Sequence, residues 1–302
     1  MRIIPFIQTS VFVDDRYQFS GNQLATFWEP TANASLTKEE MQGIAREMNF
    51  SETTFIFPSE KKDCLAKVRI FTPGKELDFA GHPTLGTTFV LKQTGKIPQD
   101  EKEATLELGI GPINVKLTKQ DLISMQQSKP QFLEKYLDKK ALAKAIGINR
   151  EQIIDDFPMQ VVSTGNPFLI VPLDSLQTIK EINLNPYLLN QALKDFITHE
   201  LVVFTKETLY EESHVHVRMF APAVGVLEDP ATGSAAGPIG AYLEHWSVLA
   251  NHKDGSEITI EQGFEIHRPS KLIVKTHYQN NEISAVDVLG KVKLTAKGEF
   301  IL

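Results

Sequence analysis

Cysteine and long apolar runs are both scarce in this chain of 302 residues. The single cysteine, Cys64, cannot form an internal disulfide, and no histidine or metal ligand stands beside it, so we interpret it as a small structural residue. No segment approaches the roughly 20 apolar residues of a membrane span, and the amino terminus lacks the apolar core of a secretory signal. We therefore expect a cytoplasmic protein without a membrane partner.

Basic residues are also in deficit. The chain has 31 Lys and Arg against 38 Asp and Glu, a formal net charge of −7. Proteins that bind nucleic acid usually present a basic face that neutralises phosphates, so we expect no nucleic-acid partner. The apolar fraction of 42% and the charged fraction of 23% are typical of a packed globular protein. The length accommodates one large or two medium domains.

Two stretches of the chain resemble each other. The first begins RIFTP at residues 69–73 and reaches a glycine at Gly81. The second begins RMFAP at residues 218–222 and reaches Gly233. From phenylalanine to glycine is ten positions in the first and thirteen in the second, so the copies differ by a loop change of three residues. A duplicated strand, loop and glycine-opened helix predicts two similar lobes that face one shared cleft.

The segment after each glycine lacks a charged face. Beyond His82 its residues are apolar or small as far as Lys92, and in the second copy they are so as far as Glu244. A helix that is apolar on all sides is a buried one. We therefore predict an α+β fold with two pseudo-symmetric lobes, each a barrel-like sheet wrapped around a central helix. Thr37 followed by Glu40 predicts a capped start for a further helix.

A polar stretch at residues 118–129, which ends before Pro130, marks the predicted boundary between the lobes. We place the N-terminal lobe at residues 1–125 and the C-terminal lobe at residues 126–286. The final strands, at about residues 287–302, are compatible with a return to either lobe, the N-terminal one included.

A glycine at a helix start leaves backbone N–H groups unpaired at the positive end of the helix dipole, which suits an anion. Two such starts facing each other would hold a carboxylate and a developing oxyanion. A phosphate site is disfavoured, because the stretch ATGSAAG at residues 231–237 lacks the lysine of a P-loop. The pattern therefore indicates an enzyme.

Several polar residues near these motifs have both a functional and a structural interpretation. Glu52 lies in a strand otherwise made of Ser, Thr, Ile and Phe, where burial of a carboxylate is costly and would indicate a function. A position at the surface or in an ion pair is the structural alternative. His82 follows Gly81 directly and could instead cap the helix. Asp229 precedes a proline and could be an N-cap or turn residue. Glu228 beside it is expected to be solvated.

Metal ligands are harder to find. His214 and His216 share one face of a strand by the two-residue period and could bind a metal. No third ligand with suitable spacing follows, so a structural role is favoured. Asp14 and Asp15 are typical of a turn. We predict no metal site.

Six motifs are ordered along nearly the whole chain. They are GNQLA at 21–25, AREMNFSETTF at 45–55, RIFTP at 69–73, FAGHPTLGT at 79–87, EDPATGSAAG at 228–237 and EQGFEIHRPS at 261–270. Together they resemble the PhzF family of phenazine-biosynthesis-type isomerases, with one mild departure at Gln23, where many relatives have proline. The resemblance implies the diaminopimelate-epimerase-like fold, which has two pseudo-symmetric lobes of sheet, each on a central helix.

The resemblance also implies cofactor-free proton transfer on a small cyclic substrate that bears a carboxylate. In the family's best-understood member, trans-2,3-dihydro-3-hydroxyanthranilate is isomerised by moving a proton around the ring, and a glutamate at the position matching Glu52 is the acid/base. The same match makes His82 and Asp229 its catalytic partners and implies a homodimer. The substrate-binding residues that it implies are Gly81, Gly233 and Ser234.

Related racemases and other activities define the alternatives. Racemases of the same fold use two facing cysteines, whose places are held here by Ala80 and Thr232. With Cys64 as the single thiol, a two-thiol racemase is excluded. Two alternatives stay open: an epimerase or other proton-transfer enzyme that keeps Glu52 and acts on a different amino or hydroxy acid, and a non-catalytic protein that binds small acids on the same scaffold.

Overall fold

The computed structural model describes residues 1–28, 36–118, 122–250 and 255–302. The chain divides into two compact units. The first unit comprises Met1–Met125 together with Leu289–Leu302, and the second comprises Gln126–Val288. The carboxyl-terminal stretch therefore belongs to the first unit.

The helices and strands of the described residues follow one another in this order. The first part of the chain forms β1 (Ile3–Val11), β2 (Asn22–Trp28), α1 (Lys38–Met48), β3 (Glu52–Phe57), β4 (Ala66–Phe71), β5 (Glu76–Leu77), α2 (Gly81–Gln93), β6 (Glu103–Leu108), β7 (Gly111–Leu117) and β8 (Leu122–Gln127). The remainder forms β9 (Gln131–Lys135), α3 (Lys139–Ile146), β10 (Gln160–Ser163), β11 (Pro167–Pro172), α4 (Leu176–Glu181), α5 (Pro186–Ala192), β12 (Leu201–Thr205), β13 (Val215–Ala221), β14 (Val226–Asp229), α6 (Gly233–His245), β15 (Glu257–Gln262), β16 (Ser270–Gln279) and β17 (Glu282–Ile301), with short 3₁₀ helices at Arg150–Gln152 and Pro222–Val224.

Eight strands close into a barrel around α2, and two of them, β8 and β17, have residues in both units. Around the ring the strands run β17, β1, β2, β3, β4, β6, β7 and β8, and β8 pairs with β17. Helix α2 contacts β1, β2, β3 and β7, and ten of its thirteen residues are buried. A Cβ on Gly86 would lie 2.5 Å from Cδ2 of Leu24, so the glycine permits the close approach of helix and sheet. The enclosure explains why this helix has no charged face.

Helix α1 packs on β3 and β4 of the same unit. The hydroxyl of Thr37 accepts a hydrogen bond from the Glu40 N–H, and the Glu40 carboxylate accepts one from the Thr37 N–H. This is the predicted capping box. Asn49 ends the helix in the left-handed conformation, at φ 52°.

The second unit wraps a sheet around α6. Its strands are neighbours in the order β9, β10, β11, β12, β13, β15 and β16. Helix α6 contacts β10, β11 and β16, and ten of its thirteen residues are buried. Phe204 of β12 meets Tyr242 of α6, whereas Leu201 and Val203 pack into the core formed with α3, α4 and α5. Because side chains alternate along a strand, these three helices cover the opposite face of the sheet from α6.

The fold is α+β, as predicted, with one buried central helix in each unit. In the part of the chain that the structure describes, no helix is both long enough and apolar enough to cross a bilayer. The two glycines of the repeated motif, Gly81 and Gly233, are the first residues of α2 and α6. Each central helix therefore begins at a residue that the sequence marks as a candidate for binding.

Candidate active site

The first unit brings Glu52 and His82 together. Glu52 is the first residue of β3 and lies beside Leu24 of β2, while His82 is the second residue of α2. Oε2 of Glu52 lies 3.5 Å from Nε2 of His82, and the two side chains are 17% and 5% exposed. The starts of one strand and one helix thus place an acid and an imidazole side by side, largely away from water.

The imidazole of His82 is neutral at ordinary pH. Burial lowers its pKa to about 3, against the opposite effect of a hydrogen bond with the Gln23 backbone, which favours the protonated ring. Nε2 has no hydrogen-bond partner within the described residues, so Nδ1 makes the bond to Gln23 and donates it. We therefore assign the Nδ1–H tautomer, with the lone pair of Nε2 available toward Glu52. Because the ring is neutral, the contact with Glu52 is not an ion pair.

A glycine turn brings the Gln23 backbone to this histidine. Gly21, just before β2, has φ +76°, and a Cβ there would lie 2.5 Å from the carbonyl oxygen of Val11. Glycine alone accepts both the left-handed conformation and the close approach. The turn starts β2 in the register that holds His82.

Neither central helix has a side-chain cap. Ala80 precedes α2 and Thr232 precedes α6, and neither side chain accepts a hydrogen bond from the first turn. His82 likewise does not cap α2, so that structural alternative is wrong. First-turn N–H groups that no side chain caps are suited to an anionic ligand.

The second unit places Asp229 at the end of β14, where it pairs with Met219 of β13. Asp229 is 7% exposed, and its Oδ2 accepts a hydrogen bond of 2.6 Å from the Thr232 hydroxyl. Thr232 occupies the N-cap position of α6, but its hydroxyl is directed to Asp229 instead of the helix. Asp229 is therefore not the N-cap residue of α6, but it orients Thr232, which occupies that position.

Gly233 and Ser234 form the first two positions of α6. The Gly233 carbonyl accepts a hydrogen bond of 2.8 Å from Nε2 of Gln127, whose own Oε1 accepts one of 2.5 Å from the Thr164 hydroxyl. A Cβ on Gly237 would lie 2.0 Å from Oε1 of Gln127, so a glycine is required there. Gln127 thus holds the first turn of α6 through the Gly233 backbone. Ser234 is partly exposed.

An arginine–glutamate pair is duplicated in the two units. Arg69 donates to both carboxylate oxygens of Glu76, at 2.7 and 2.9 Å. Arg218 does the same to Glu228, at 2.9 and 2.6 Å. Each glutamate stands five positions before the glycine that opens its helix. Each pair therefore ties the strand leading into that glycine to the strand of the repeated motif.

Glu228 is not solvated, contrary to the expectation from sequence. Its side chain is 7% exposed and that of Arg218 is 9% exposed. Arg218 also donates to the carbonyls of Ile179 and Ile182. The expectation was wrong because the partner lies ten positions away on a neighbouring strand. The sequence did contain one indication of this ion pair, because both copies of the repeated motif begin with an arginine.

His216 has two carboxylate partners that the sequence did not reveal. Its Nδ1 and Nε2 lie 3.0 Å from oxygens of Glu261 and Glu265, respectively. Burial alone would lower the pKa of His216, but the hydrogen bonds to the two glutamates raise it overall. Within the described ranges, no group of three or more His, Cys, Asp or Glu is arranged to hold a metal ion. The arrangement is a buried charged cluster of the second unit.

Two α+β units, each with a sheet wrapped around a glycine-opened helix, define a fold class that includes racemases and epimerases. A probable proline racemase of Agrobacterium radiobacter K84 matches with a TM-score of 0.65, over 99% of this chain and 93% of that chain. The sequence identity is 10%, so this likeness shows the fold alone.

The chain belongs to the family described as phenazine biosynthesis-like protein, whose model matches residues 10–298. It is 36% identical over 290 residues to the trans-2,3-dihydro-3-hydroxyanthranilate isomerase of Pseudomonas aeruginosa, which covers 93% of this chain and 94% of that protein. The crystal structure of a PhzF-family protein from Bacillus anthracis matches with a TM-score of 0.89 and 29% identity, over the whole of both chains. The predicted family and fold are confirmed, and the protein is an isomerase.

Proposed function

We propose that this isomerase moves a carbon-bound proton on trans-2,3-dihydro-3-hydroxyanthranilate, or on a cyclic acid of the same class, with Glu52 as the single acid/base and without a cofactor. The observation that carries the proposal is the contact of Glu52 with the neutral, buried imidazole of His82. The relative from Pseudomonas aeruginosa, whose name gives that activity, supports the substrate class.

The chemistry needs one carboxylate that acts first as a base and then as an acid. The Glu52 carboxylate takes a proton from a ring carbon, and the electron pair left behind shifts into the conjugated system. Protonated Glu52 returns the proton to another ring carbon, so the substrate is neither oxidised nor reduced. Neutral His82 suits both halves of this cycle, because its Nε2 lone pair can accept a hydrogen bond from protonated Glu52. A cationic imidazolium would instead favour the ionised carboxylate and weaken it as a base.

The polar groups of the substrate need binding partners of their own. We assign Asp229, His82 and Ser234 to its amino, hydroxyl and carboxylate groups, with backbone contacts from Gly81 and Gly233. The match of these residues to the family motifs supports the assignment, and so does the lack of a side-chain cap at either helix start. A homodimeric, cytoplasmic enzyme belongs to the same proposal and rests on the resemblance.

The test is incubation of the purified protein with trans-2,3-dihydro-3-hydroxyanthranilate in D₂O, followed by NMR. We expect a product with a shifted double bond, and deuterium at the accepting carbon reports exchange of the Glu52 proton with solvent. An epimerase would exchange the proton at one carbon without moving a double bond. A binding protein would leave this compound and other cyclic acids of its class unaltered after long incubation, and either of these two results would contradict the proposal.

A further inference from the structure

Gln262, the last residue of β15, spans both ends of the segment Asp229–Thr232 that leads into α6. Its side chain is buried, with the residue 1% exposed. Nε2 donates to the Asp229 carbonyl at 2.8 Å and to the Thr232 hydroxyl at 3.0 Å, and Oε1 accepts from the Thr232 N–H at 3.1 Å. A primary amide has two donors and one carbonyl acceptor, and all three functions are used on this one segment.

The bonds from Gln262 also set the direction of the Thr232 hydroxyl. A hydroxyl has one proton to donate. Because the Thr232 oxygen accepts from Gln262, its own proton is directed to Oδ2 of Asp229, at 2.6 Å. The same engagement keeps the hydroxyl from capping α6. One glutamine side chain thus orients the Asp229 carboxylate through Thr232 and leaves the start of α6 uncapped.

The backbone after Gln262 supports the same segment from behind. Gly263 has φ +81°, and a Cβ there would lie 2.5 Å from the carbonyl oxygen of Pro230 and 2.4 Å from that of Arg268. Only glycine lets the two backbones come this close. The segment Asp229–Thr232 therefore rests directly on the chain that carries Gln262.

Strand β15 is itself firmly held. It pairs in parallel with β13, with Val217 opposite Gln262, and β13 also pairs with β14, with Met219 opposite Asp229. The Glu261 carboxylate accepts from the N–H groups of Leu209 and Tyr210, each at 2.9 Å. Gln262 therefore acts from a fixed strand on a segment whose residues 230–232, between β14 and α6, belong to no helix or strand.

We propose that Gln262 is a positioning residue that fixes the Asp229 carboxylate and the uncapped start of α6 for substrate. The inference rests on the proposed function, in which Asp229 binds the substrate. Gln262 touches only protein atoms in this role, so its removal acts on turnover through Asp229 and Thr232.

Two variants separate positioning from general stability. Gln262→Leu removes all three hydrogen bonds. Gln262→Glu keeps the shape and the oxygen that accepts from Thr232, but an ionised carboxylate cannot donate to the Asp229 carbonyl. Protonation of that carboxylate at low pH restores one donor. We expect kcat/KM to fall about 100-fold in both variants near neutral pH, because a misplacement of about 1 Å can cost that much. Relative to wild type at the same pH, Gln262→Glu should recover as the pH falls, whereas Gln262→Leu should not.

The matched control is Gln160→Leu in the same unit. Gln160 is also buried and donates to the Leu133 carbonyl while it accepts from Trp246, away from Asp229. We expect this variant to lose stability but to keep kcat/KM close to wild type. An equal loss of turnover in Gln160→Leu and Gln262→Leu would overturn the proposal.

Amide hydrogen exchange gives a readout that needs no substrate. We expect faster exchange in the peptide covering residues 229–234 of Gln262→Leu, and unchanged exchange in β11. Wild-type exchange of that peptide, or wild-type turnover in both Gln262 variants, would overturn the proposal. A third outcome separates this inference from the proposed function. If the peptide exchanges faster in Gln262→Leu but Asp229→Asn keeps full turnover, Gln262 orders the segment and the proposed function of Asp229 is wrong.

Discussion

The residue with the widest consequences is His82, because its charge state decides what Glu52 can do. The structure places His82 beside Glu52, a contact that would be an ion pair if the imidazole were protonated. Burial keeps the imidazole neutral, since it lowers the pKa of His82 to about 3 and only the hydrogen bond to the Gln23 backbone opposes the shift. Glu52 therefore lies beside a neutral acceptor in place of a cation, and in the proposed function this makes its carboxylate a stronger base than an ion pair would.

The buried histidine also predicts how stability depends on pH. The pKa of His82 is about 3 in the folded protein, against an ordinary value of 6.5. Between these values the unfolded chain binds a proton that the folded chain does not, so the free energy of unfolding decreases as the pH falls from 6.5. The slope is about 1.4 kcal/mol per pH unit.

Urea unfolding of wild type and His82→Gln at pH 7 and pH 5 measures this dependence. Wild type should lose about 2 kcal/mol more than the variant over that interval. If both proteins lose the same free energy, His82 is charged at pH 5 in the folded state and its neutral role is wrong.

Single residues also mark the limit of what the sequence could predict. Motifs made Glu52, His82 and Asp229 candidates, and their roles stay predictions, whereas no motif indicated the partners of Glu228 and His216. The partners of His216 lie 45 and 49 positions away, and Gln262 lies 33 positions from Asp229. Such contacts depend on which strands are neighbours in the sheet. The hydrophobic periodicity of a single segment does not predict that order.

At the level of elements, the duplicated arginine–glutamate pairs fix the two hairpins that lead into the central helices. The pairs share geometry but differ in burial. The side chains of Arg218 and Glu228 are 9% and 7% exposed, whereas those of Arg69 and Glu76 are 27% and 23% exposed. Solvent screens the Arg69–Glu76 pair more strongly, so this pair contributes less to stability than Arg218–Glu228 does.

Neutralising one partner of each pair should reveal that difference. Glu228→Gln leaves the Arg218 charge buried without its carboxylate and should lower the free energy of unfolding by about 3 kcal/mol. Glu76→Gln should cost about 1 kcal/mol, as expected of a partly exposed pair. Urea unfolding measures both, with Glu282→Gln as the control, because its pair with Lys129 is 72% and 62% exposed. Equal costs for Glu228→Gln and Glu282→Gln would show that the buried pair does not fix the hairpin.

Elements were predicted best where the signal is local. The capping box at Thr37 and Glu40 needs only four residues, and the uncharged central helices need only their own composition. The closed barrel around α2 needs a pairing of β1 with β17, at opposite ends of the chain. Sequence alone left those last strands compatible with either lobe.

At the level of the whole molecule, the first unit is completed by the end of the chain. Strand β1 pairs with β17 from Ile3 opposite Ile301 to Val11 opposite Val292. Without those residues β1 becomes an edge strand and the ring of eight strands opens. The unit that carries Glu52 and His82 therefore depends on residues far from both in sequence.

A chain that lacks residues 292–302 tests this dependence. We expect the amides of β1 and β2 to lose their protection from hydrogen exchange, because their unit no longer closes. A chain that lacks only residues 301–302 keeps most of the pairing and should exchange as wild type does. Full protection of β1 in the longer truncation would show that the barrel does not need its last strand.

The most direct test of the proposed proton transfer compares Glu52→Gln with Glu107→Gln in turnover of trans-2,3-dihydro-3-hydroxyanthranilate. Glu107 is a buried carboxylate of the same unit that accepts from the Ser59 hydroxyl and the Glu60 N–H, so it controls for loss of a buried charge. If Glu52 carries the proton, Glu52→Gln should lose about 10²–10⁴-fold in kcat while Glu107→Gln stays close to wild type. Wild-type turnover in Glu52→Gln would contradict a mechanism built on this carboxylate.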